Sequence, residues 1–394
     1  MNLFFWVAVG WLVYVYAGYL MMLALVSLRR RVRPLVSETC EPSVSVLIAA
    51  RNEEKDIGWK IAETLAWDYP AGKLDILVAS DASDDATDEI VKSMNDPRVT
   101  FVRMERRGGK VRALNLLAPM ARGEILFFTD ANAHIGPEAL RLLVRHFADN
   151  RVGCVTGDSR PIEEKDNPAI ASGASIYWSY EIALKRLENR IGSVLVCDGA
   201  IFCIRAPLFH RLDPNLANDL ETPMQIGAAQ HWIAHEPGAL AFERDTTSPF
   251  QEFTRRRRMC AQGMLAMMTM SGARRGLRGW QFLSHKLLRW ISLIPMLMVL
   301  VSSALMARGS HFFAGLLVLQ AMLYGLAAVG LWKSIAGRPV PRLIAVPFYI
   351  VLGVVGALAG TLDSLRGKRF DVWEIPTLSR GLLRPASRPA RTGD

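Results

Sequence analysis

Short apolar runs alternate with amphipathic stretches through the part of the chain that follows residue 40. The apolar runs are bounded by glycine or polar residues, which is typical of strands inside a sheet. The stretches between them repeat their apolar positions with helical periodicity. The pattern predicts strands at 43–50, 74–80, 98–103, 124–129 and 152–156, and helices at 53–67, 84–95, 110–121 and 137–149. Alternation of this kind indicates an α/β fold with a doubly wound, mainly parallel sheet.

Four longer runs carry no charged residue and are long enough to cross a bilayer. They lie at 3–28, 290–307, 309–332 and 343–362. The first run lacks the basic start of a cleavable signal peptide, and the basic segment RRRVR follows it at 29–33. Because basic flanks favour the cytosolic side, we expect the N-terminus outside and the following domain in the cytosol.

The C-terminal tail creates a conflict in this topology. Three crossings after a cytosolic domain would leave the tail outside, whereas the basic residues at 366–369 favour the cytosol. Either the count is right and the tail is external, or one late run is re-entrant. The prolines at 339, 341 and 347 make the last run the suspect, and we favour a cytosolic tail.

The charge distribution favours lipid over nucleic acid as a partner. The chain has 394 residues, with 47 Lys and Arg against 37 Asp and Glu. The basic residues cluster beside the apolar runs, where anionic lipid headgroups would meet them. The five cysteines show no paired CxxC spacing, so neither a zinc site nor a disulfide framework is indicated.

Polar groups follow three of the predicted strands at the point where each strand ends. Arg51, Asn52 and Glu53 follow the first strand, Asp81 follows the second and Asp130 follows the fourth. Parallel sheets bind ligands at the carboxyl ends of their strands, so these groups should share one edge. An acid at such an edge suits Mg²⁺ or Mn²⁺ beside substrate phosphates.

Five motifs in order give the chain a resemblance to a known family. They are ARNEE (50–54), SDASDDAT (80–87), GGKVRALN (108–115), FTDANA (128–133) and ANDLETP (217–223). This set resembles the inverting glycosyltransferases of family 2, which have the GT-A fold. The chain is similar to their membrane-integrated branch, which includes hyaluronan, chitin-oligomer and cellulose synthases and bacterial exopolysaccharide transferases.

The resemblance implies a role for each residue that matches a family motif. Asp219 matches the catalytic base that takes a proton from the acceptor hydroxyl. Asp130 matches the metal-site motif, which implies Mg²⁺ or Mn²⁺ as the cofactor. Asp198 and Gly199 lie in the segment that lines the acceptor path. The residues matched to nucleotide-sugar binding are Ala50, Arg51, Glu53, Asp81, Lys110 and Arg258.

Two motifs depart from the family pattern. Asn132 stands where a second Asp is common, so Asp130 should carry most of the metal binding with Asn132 assisting. The QxxRW motif of processive members is altered to Arg255, Arg258 and Met259. We expect Arg258 to meet the donor diphosphate and Arg256 to face lipid, and the missing Trp argues against processivity.

These observations predict five segments. They are a transmembrane helix with a basic anchor (1–33), a cytosolic GT-A domain (34–250), an amphipathic interfacial helix region (251–280), C-terminal transmembrane helices (281–366) and a basic tail with the segment WEIPTLSR (367–394). The expected function is metal-dependent, inverting transfer of a sugar from a nucleotide-diphosphate donor, for which we expect a UDP-sugar, to a lipid-linked or growing glycan at a bacterial inner membrane. A processive synthase that extrudes its polymer, a non-catalytic membrane scaffold and association of protomers are left open.

Overall fold

The structure is a computed structural model that describes residues 2–32, 34–162, 168–244, 249–270 and 276–370. Eight strands form one sheet in the order β3-β2-β1-β4-β7-β6-β8-β5. Strands β3, β2, β1 and β4 are parallel to one another, β6 is parallel to β8, and the other pairs are antiparallel. The strands are β1 Val44–Ala50, β2 Leu74–Ser80, β3 Val99–Arg103, β4 Ile125–Asp130, β5 His134–Ile135, β6 Val152–Ile162, β7 Phe202–Arg205 and β8 Trp232–Arg244.

Helices cover both faces of this sheet. Apolar residues of β1, β2 and β4 alternate between two cores, one shared with α3, α4 and α6 and the other with α5. The prediction of a doubly wound, mainly parallel sheet is therefore confirmed. The helices that pack near the sheet are α3 Ile57–Leu65, α4 Thr87–Ser93, α5 Lys110–Leu117, α6 Ala139–Val144, α7 Pro168–Ile191, α8 Asn218–Ala228 and α9 Pro249–Thr269.

All four predicted helices end earlier in the structure than predicted, and three of them also begin later because their first residues belong to loops. Asp85 Oδ1 accepts hydrogen bonds from the backbone N–H and the hydroxyl of Thr87 at 3.1 and 2.5 Å, so it supports the start of α4. The neighbouring Asp84 instead forms an ion pair with Arg51 at 3.0 Å. An acid that bonds to the loop before a helix delays the first helical turn.

The long apolar runs form helices outside the sheet. In the part of the chain that the structure describes, three helical segments are long and apolar enough to cross a membrane, or four if a bent pair counts as one span. The pair is bent by 54°, and it contains the run at 290–307. The last run is one continuous helix despite Pro347, so the break lies in the first late run and the suspicion about the last one is wrong. The segments are Asn2–Arg29 (α1 and α2 joined by a π-helical turn), Gly276–Trp290 with Leu293–Gly309 (α10 to α12), α13 His311–Ile335 and α14 Arg342–Leu365.

Buried polar contacts attach the apolar helices to the sheet domain. Tyr19 in the first segment donates a hydrogen bond to Glu188 of α7 at 2.7 Å. His285 in the segment Gly276–Trp290 lies with its two ring nitrogens 2.8 Å from Glu188 and 3.1 Å from Glu181. A buried charge is tolerated only when it is paired, so these contacts fix how the helices meet α7. The tail segment WEIPTLSR, predicted at 373–380, lies outside the described residues.

The backbones of helices α9 and α14 are in close contact at Gly360. A Cβ added at Gly360 would overlap the carbonyl oxygen of Arg257. The Arg257 guanidinium also forms two hydrogen bonds to the Asp363 carboxylate, at 2.5 and 3.0 Å. Close backbone approach at small residues is a common way for membrane helices to pack.

This contact predicts a position-specific effect on stability. The substitution Gly360→Ala should separate α9 from α14 and lower the free energy of unfolding by about 1–3 kcal/mol, as overpacking does. The substitution Gly353→Ala on the same helix is the matched control, because a Cβ there has no neighbour within 4 Å. Thermal unfolding of the full chain in one detergent measures both. Equal melting temperatures for the two variants would contradict the contact.

Candidate active site

A cavity of about 350 Å³ lies between the sheet edge and the helices α7, α8 and α9. Six residues that the sequence assigned to the site line its wall: Lys110, Asp130, Asp198, Gly199, Asp219 and Arg258. The other five assigned residues are Ala50, Arg51, Glu53, Asp81 and Asn132. The first four of these lie at the ends of β1 and β2, next to the loops that carry the lining residues. Asn132 is exposed in the turn after β4.

An ion pair between Lys110 and Asp130 occupies the side of the cavity nearest the sheet. Asp130 is the last residue of β4, and Lys110 is the first residue of α5. The turn before Lys110 is held by Asp81, whose carboxylate accepts the backbone N–H groups of Gly108 at 2.5 Å and Gly109 at 2.9 Å. Gly109 has a φ of 87°, a backbone conformation that favours glycine. Asp81 therefore presents Lys110 to the cavity.

Arg51 connects the loops after β1 and β2. Its guanidinium donates hydrogen bonds to the carbonyl oxygens of Asp81 at 2.6 Å and Ala82 at 2.8 Å. Glu53 is buried, and its backbone N–H donates to the Thr87 hydroxyl at 2.7 Å. These contacts confirm that the groups predicted at the strand ends share one edge of the sheet.

Asp219 lines the same cavity, in the first turn of α8, and the charges of Lys110 and Asp130 act on its carboxylate. Its backbone carbonyl accepts the N–H of Cys197 at 2.9 Å. A Cβ at Gly199 would lie 3.4 Å from an Asp219 carboxylate oxygen, so a larger residue there would crowd the acid. Asp198 is held by the backbone N–H and hydroxyl of Ser159, at 2.8 and 2.5 Å. Asp198, in the loop before β7, and Asp219, in the first turn of α8, thus line the same cavity.

The other acids of the ANDLETP region have local structural roles. Glu221 accepts the backbone N–H of Asp213 at 2.9 Å and the side-chain amide of Gln225 at 2.9 Å. Asp213 accepts the backbone N–H of Asn215 at 2.9 Å. Among these three described acids, Asp219 alone lines the cavity. Geometry therefore favours it as the proton acceptor.

Two carboxylates in the cavity, those of Asp219 and Glu243, have a raised pKa. Burial raises the pKa of Asp219, and the charges of Asp198 and Asp130 add to this effect while Lys110 opposes it. Burial, together with the charges of Asp130 and Asp198, raises the pKa of Glu243 to about 8. Mutual repulsion of this kind marks a place where an added cation would be stabilised.

Glu243 is a cavity residue that the sequence analysis missed. It lies near the end of β8, opposite Pro161 of β6. Its acid lies near the end of the alternating segment ALAFER (239–244). A carboxylate at the end of a predicted strand is the same feature that indicates Asp130 as a site residue. The sequence pattern does not show which strand end faces the site, because that depends on the order and direction of the strands in the sheet.

The donor set of the cavity suits a hard divalent cation. Carboxylate oxygens of Asp130 and Glu243 are ligands that Mg²⁺ and Mn²⁺ accept, and Mg²⁺ usually adds water and substrate phosphate oxygens to one or two carboxylates. Within the described ranges no group of three acidic, histidine or cysteine side chains is arranged to hold an ion by itself. A cation here would therefore need oxygens of the donor diphosphate, and Asn132 would have to turn inward to assist.

Helix α9 presents a basic surface to the cavity. Arg255, Arg256 and Arg258 all line it, and Arg256 forms an ion pair with Glu252 one turn earlier at 2.9 Å. The expectation that Arg256 faces lipid is therefore wrong, because its partner Glu252 is itself a cavity residue. Arg257 points to Asp363 of α14 instead.

The sequence profile of the family described as "Glycosyl transferase family 2" matches residues 45–212. Residues 45–212 therefore resemble the family 2 glycosyltransferases. It is 29% identical over 189 residues to a beta-monoglucosyldiacylglycerol synthase from Synechocystis, covering 45% of this chain and 38% of that protein. It is 25% identical over 207 residues to a poly-beta-1,6-N-acetyl-D-glucosamine synthase from Staphylococcus epidermidis, covering 50% of this chain and 49% of that one. The chain thus spans less than half the length of these curated relatives.

A solved structure extends the likeness to nearly the whole chain. A mannosyltransferase from Pyrobaculum calidifontis in complex with GDP-Man and Mn²⁺ superimposes with a TM-score of 0.69, over 93% of this chain and 100% of that one. The sequence identity is 21%, so the likeness shows the fold alone. This confirms the predicted GT-A-like α/β architecture.

Proposed function

We propose that the protein is an inverting, metal-dependent glycosyltransferase that moves a sugar from a nucleotide-diphosphate donor to a lipid-linked or growing glycan. The observation that carries the proposal is that Asp219, the pair Lys110–Asp130 and Arg258 line one cavity. A base on one side and a diphosphate site on the other are what inversion at a sugar carbon requires, because the acceptor attacks opposite the leaving group.

The donor nucleotide would lie along the ends of β1 and β2. In this arrangement Ala50, Arg51, Glu53 and Asp81 surround the base and ribose, as the family resemblance implies. The rule that open α/β sheets bind ligands beyond the carboxyl ends of their strands supports this placement. The diphosphate then reaches Lys110 and Asp130 at the cavity wall, and we take the donor to be a UDP-sugar by the same resemblance.

The chain's own residues account for the proton and the leaving charge. The Asp219 carboxylate takes the proton of the acceptor hydroxyl while that oxygen forms a bond to the anomeric carbon. The bond from this carbon to the diphosphate breaks, and its electron pair leaves with the diphosphate. Lys110 and Arg258 stabilise the growing negative charge. A bound Mg²⁺ or Mn²⁺, held by Asp130 with Asn132 assisting, would add Lewis-acid stabilisation.

The raised pKa of Asp219 suits its role as a base. A carboxylate with a higher proton affinity removes a proton more readily, provided that it is ionised at the working pH. Asp198 contributes to this shift and is fixed by Ser159, so we assign Asp198 and Gly199 to the acceptor path beside the base.

The acceptor would approach from the side of the membrane helices. The cavity wall includes residues of α7 and α9, which contact the apolar segments through His285 and Asp363.

We propose a multi-pass protein of a bacterial inner membrane with segments 1–33, 281–366 and the tail 367–394 around a cytosolic domain at 34–250 and an interfacial region at 251–280. The transfer activity is tested by incubating the purified protein in lipid with a panel of labelled nucleotide sugars. The size of the product separates single addition from processive synthesis.

The role of Asp219 predicts a separation of binding from transfer. Asp219→Asn keeps the size of the side chain but removes the proton acceptor, so transfer should fall by roughly 10²–10⁴-fold. Nucleotide affinity, measured by titration on the same preparation, should stay near the wild-type value. Glu221→Gln is the matched control and should retain transfer, because Glu221 serves the Asp213 backbone. Normal transfer by Asp219→Asn would refute the assignment.

The role of Asp130 predicts dependence on a divalent cation. Removal of the cation with excess EDTA should abolish transfer, and Mg²⁺ or Mn²⁺ should restore it. Asp130→Ala should be inactive under all these conditions, whereas Asn132→Asp should be tolerated because it supplies a stronger oxygen ligand. Asp68→Ala removes an acid that bonds to Arg141 elsewhere and serves as the control. Full turnover in EDTA would be incompatible with the proposal.

The role of Arg258 predicts a loss that depends on side-chain shape. Arg258→Ala should weaken the affinity for UDP and lower turnover, while Arg258→Lys should recover only part of each because its ammonium cannot contact two phosphate oxygens in a fork. Arg366→Ala removes the same charge from an exposed residue after α14 and is the control. Equal losses for Arg258→Ala and Arg366→Ala would mean that the arginines act only as a basic membrane surface.

A further inference from the structure

A lysine lies fully buried beneath the loop that follows Asp130. The Lys60 side chain is 0% exposed, and its Nζ donates a hydrogen bond to the Ala133 carbonyl at 2.6 Å. The Glu63 carboxylate lies 3.7 Å from the same Nζ. Burial lowers the pKa of Lys60 to about 8, against the opposing charge of Glu63. Taking an ammonium group out of water costs several kcal/mol, so an apolar residue would fill this space at less cost.

Two further contacts from α3 hold the same loop. The Glu63 carboxylate accepts the backbone N–H of Ile135, at 3.2 and 3.3 Å from its two oxygens. The Trp59 ring lies 3.8 Å from the His134 ring between centroids. Positions 59, 60 and 63 lie on neighbouring faces of one helical turn. They therefore contact three consecutive loop residues, 133, 134 and 135.

The other end of this loop is fixed by the sheet. Asp130 pairs with Ala49 in the parallel register of β4 and β1, and its carbonyl accepts the Ala133 N–H at 3.2 Å. The turn from Asp130 to Ala133 is thus held by the sheet on one side and by α3 on the other. A turn without the second support would be free to move relative to Lys110.

We propose that Lys60 and Glu63 are positioning residues that clamp the Asp130–Ala133 turn in the geometry needed to bind the donor diphosphate and its cation. The identity of the ligand rests on the proposed function, whereas the clamp itself rests on the contacts of α3. The Asp130 carboxylate and the diphosphate would bind the cation through oxygen atoms, whose placement must be accurate to a fraction of an ångström.

The test uses the full chain in nanodiscs and two measurements. Lys60→Met keeps the length of the side chain and removes the donor. The first measurement is hydrogen exchange of a peptide covering 126–136 without ligand, and the second is calorimetric titration with UDP, and separately with GDP, in the presence of Mn²⁺. We expect amide exchange in the peptide and the dissociation constant for the nucleotide both to rise about ten-fold or more, the worth of a hydrogen bond from a charged donor.

The control is a lysine with the same kind of contact far from the cavity. Lys73 Nζ donates to the Glu41 carbonyl at 2.7 Å and lies 3.8 Å from the Glu41 carboxylate. Lys73→Met should leave both measurements at their wild-type values. Glu63→Gln keeps an acceptor for the Ile135 N–H but weakens the pairing with Lys60, so its effects should be smaller in the same direction.

The outcomes separate the clamp from the proposed function. Unchanged exchange and affinity in Lys60→Met would overturn the inference, and faster exchange with unchanged affinity would reduce Lys60 to a structural residue and overturn it as well. If Lys60→Met does not fold, Glu63→Gln decides in the same two measurements. A wild-type chain that binds neither nucleotide would refute the proposed function, while the exchange comparison would still decide whether α3 holds the turn.

Discussion

The parallel register of β2, β1 and β4 is the constraint on which the cavity depends. Ala50 pairs with Ser80 and Ala49 pairs with Asp130, so the three strands end at one level of the sheet. The loops that follow must share a small region, and their polar groups bond to one another there. Arg51 fastens the β2 loop and Asp81 fastens the turn before Lys110. A slip of one strand by one residue would displace all of these groups together.

The helices outside the sheet contribute to the cavity as well as to its support. The arginines of α9 form part of its wall, and α14 holds α9 through the contact at Gly360 and the pair Arg257–Asp363. Glu188 joins α7 to both the first apolar segment and His285. Removing one member of such a buried set leaves an uncompensated charge, which is more costly than removing the whole set. The apolar helices and the sheet domain are therefore linked by polar contacts that tolerate few changes.

Much of the fold was predictable because its signals are local. The strand positions β1, β2 and β4 follow from apolar runs, and the shared edge follows from the parallel connection between them. The orientation of Arg256 was not predictable, because four consecutive arginines give no preferred face. Its partner Glu252 lies one turn earlier on the same helix, and the sequence does not show that Glu252 faces the cavity. Lys60 and Glu243 were missed for a related reason, because charge in a sequence suggests exposure. The packing of α3 and β8 buries Lys60 and partly buries Glu243.

The pair Lys110–Asp130 has a consequence for how the protein exists between reaction cycles. A carboxylate at a partly buried strand end would be unfavourable without a positive neighbour, and here the chain supplies that neighbour itself. Lys110 acts as a resident counter-ion, so the cavity remains close to electrically balanced before any ligand arrives. Small domains that lack such an internal charge often depend on a metal in order to fold. In this protein the Asp130 carboxylate has a positive partner from the chain itself, whether or not a ligand is bound.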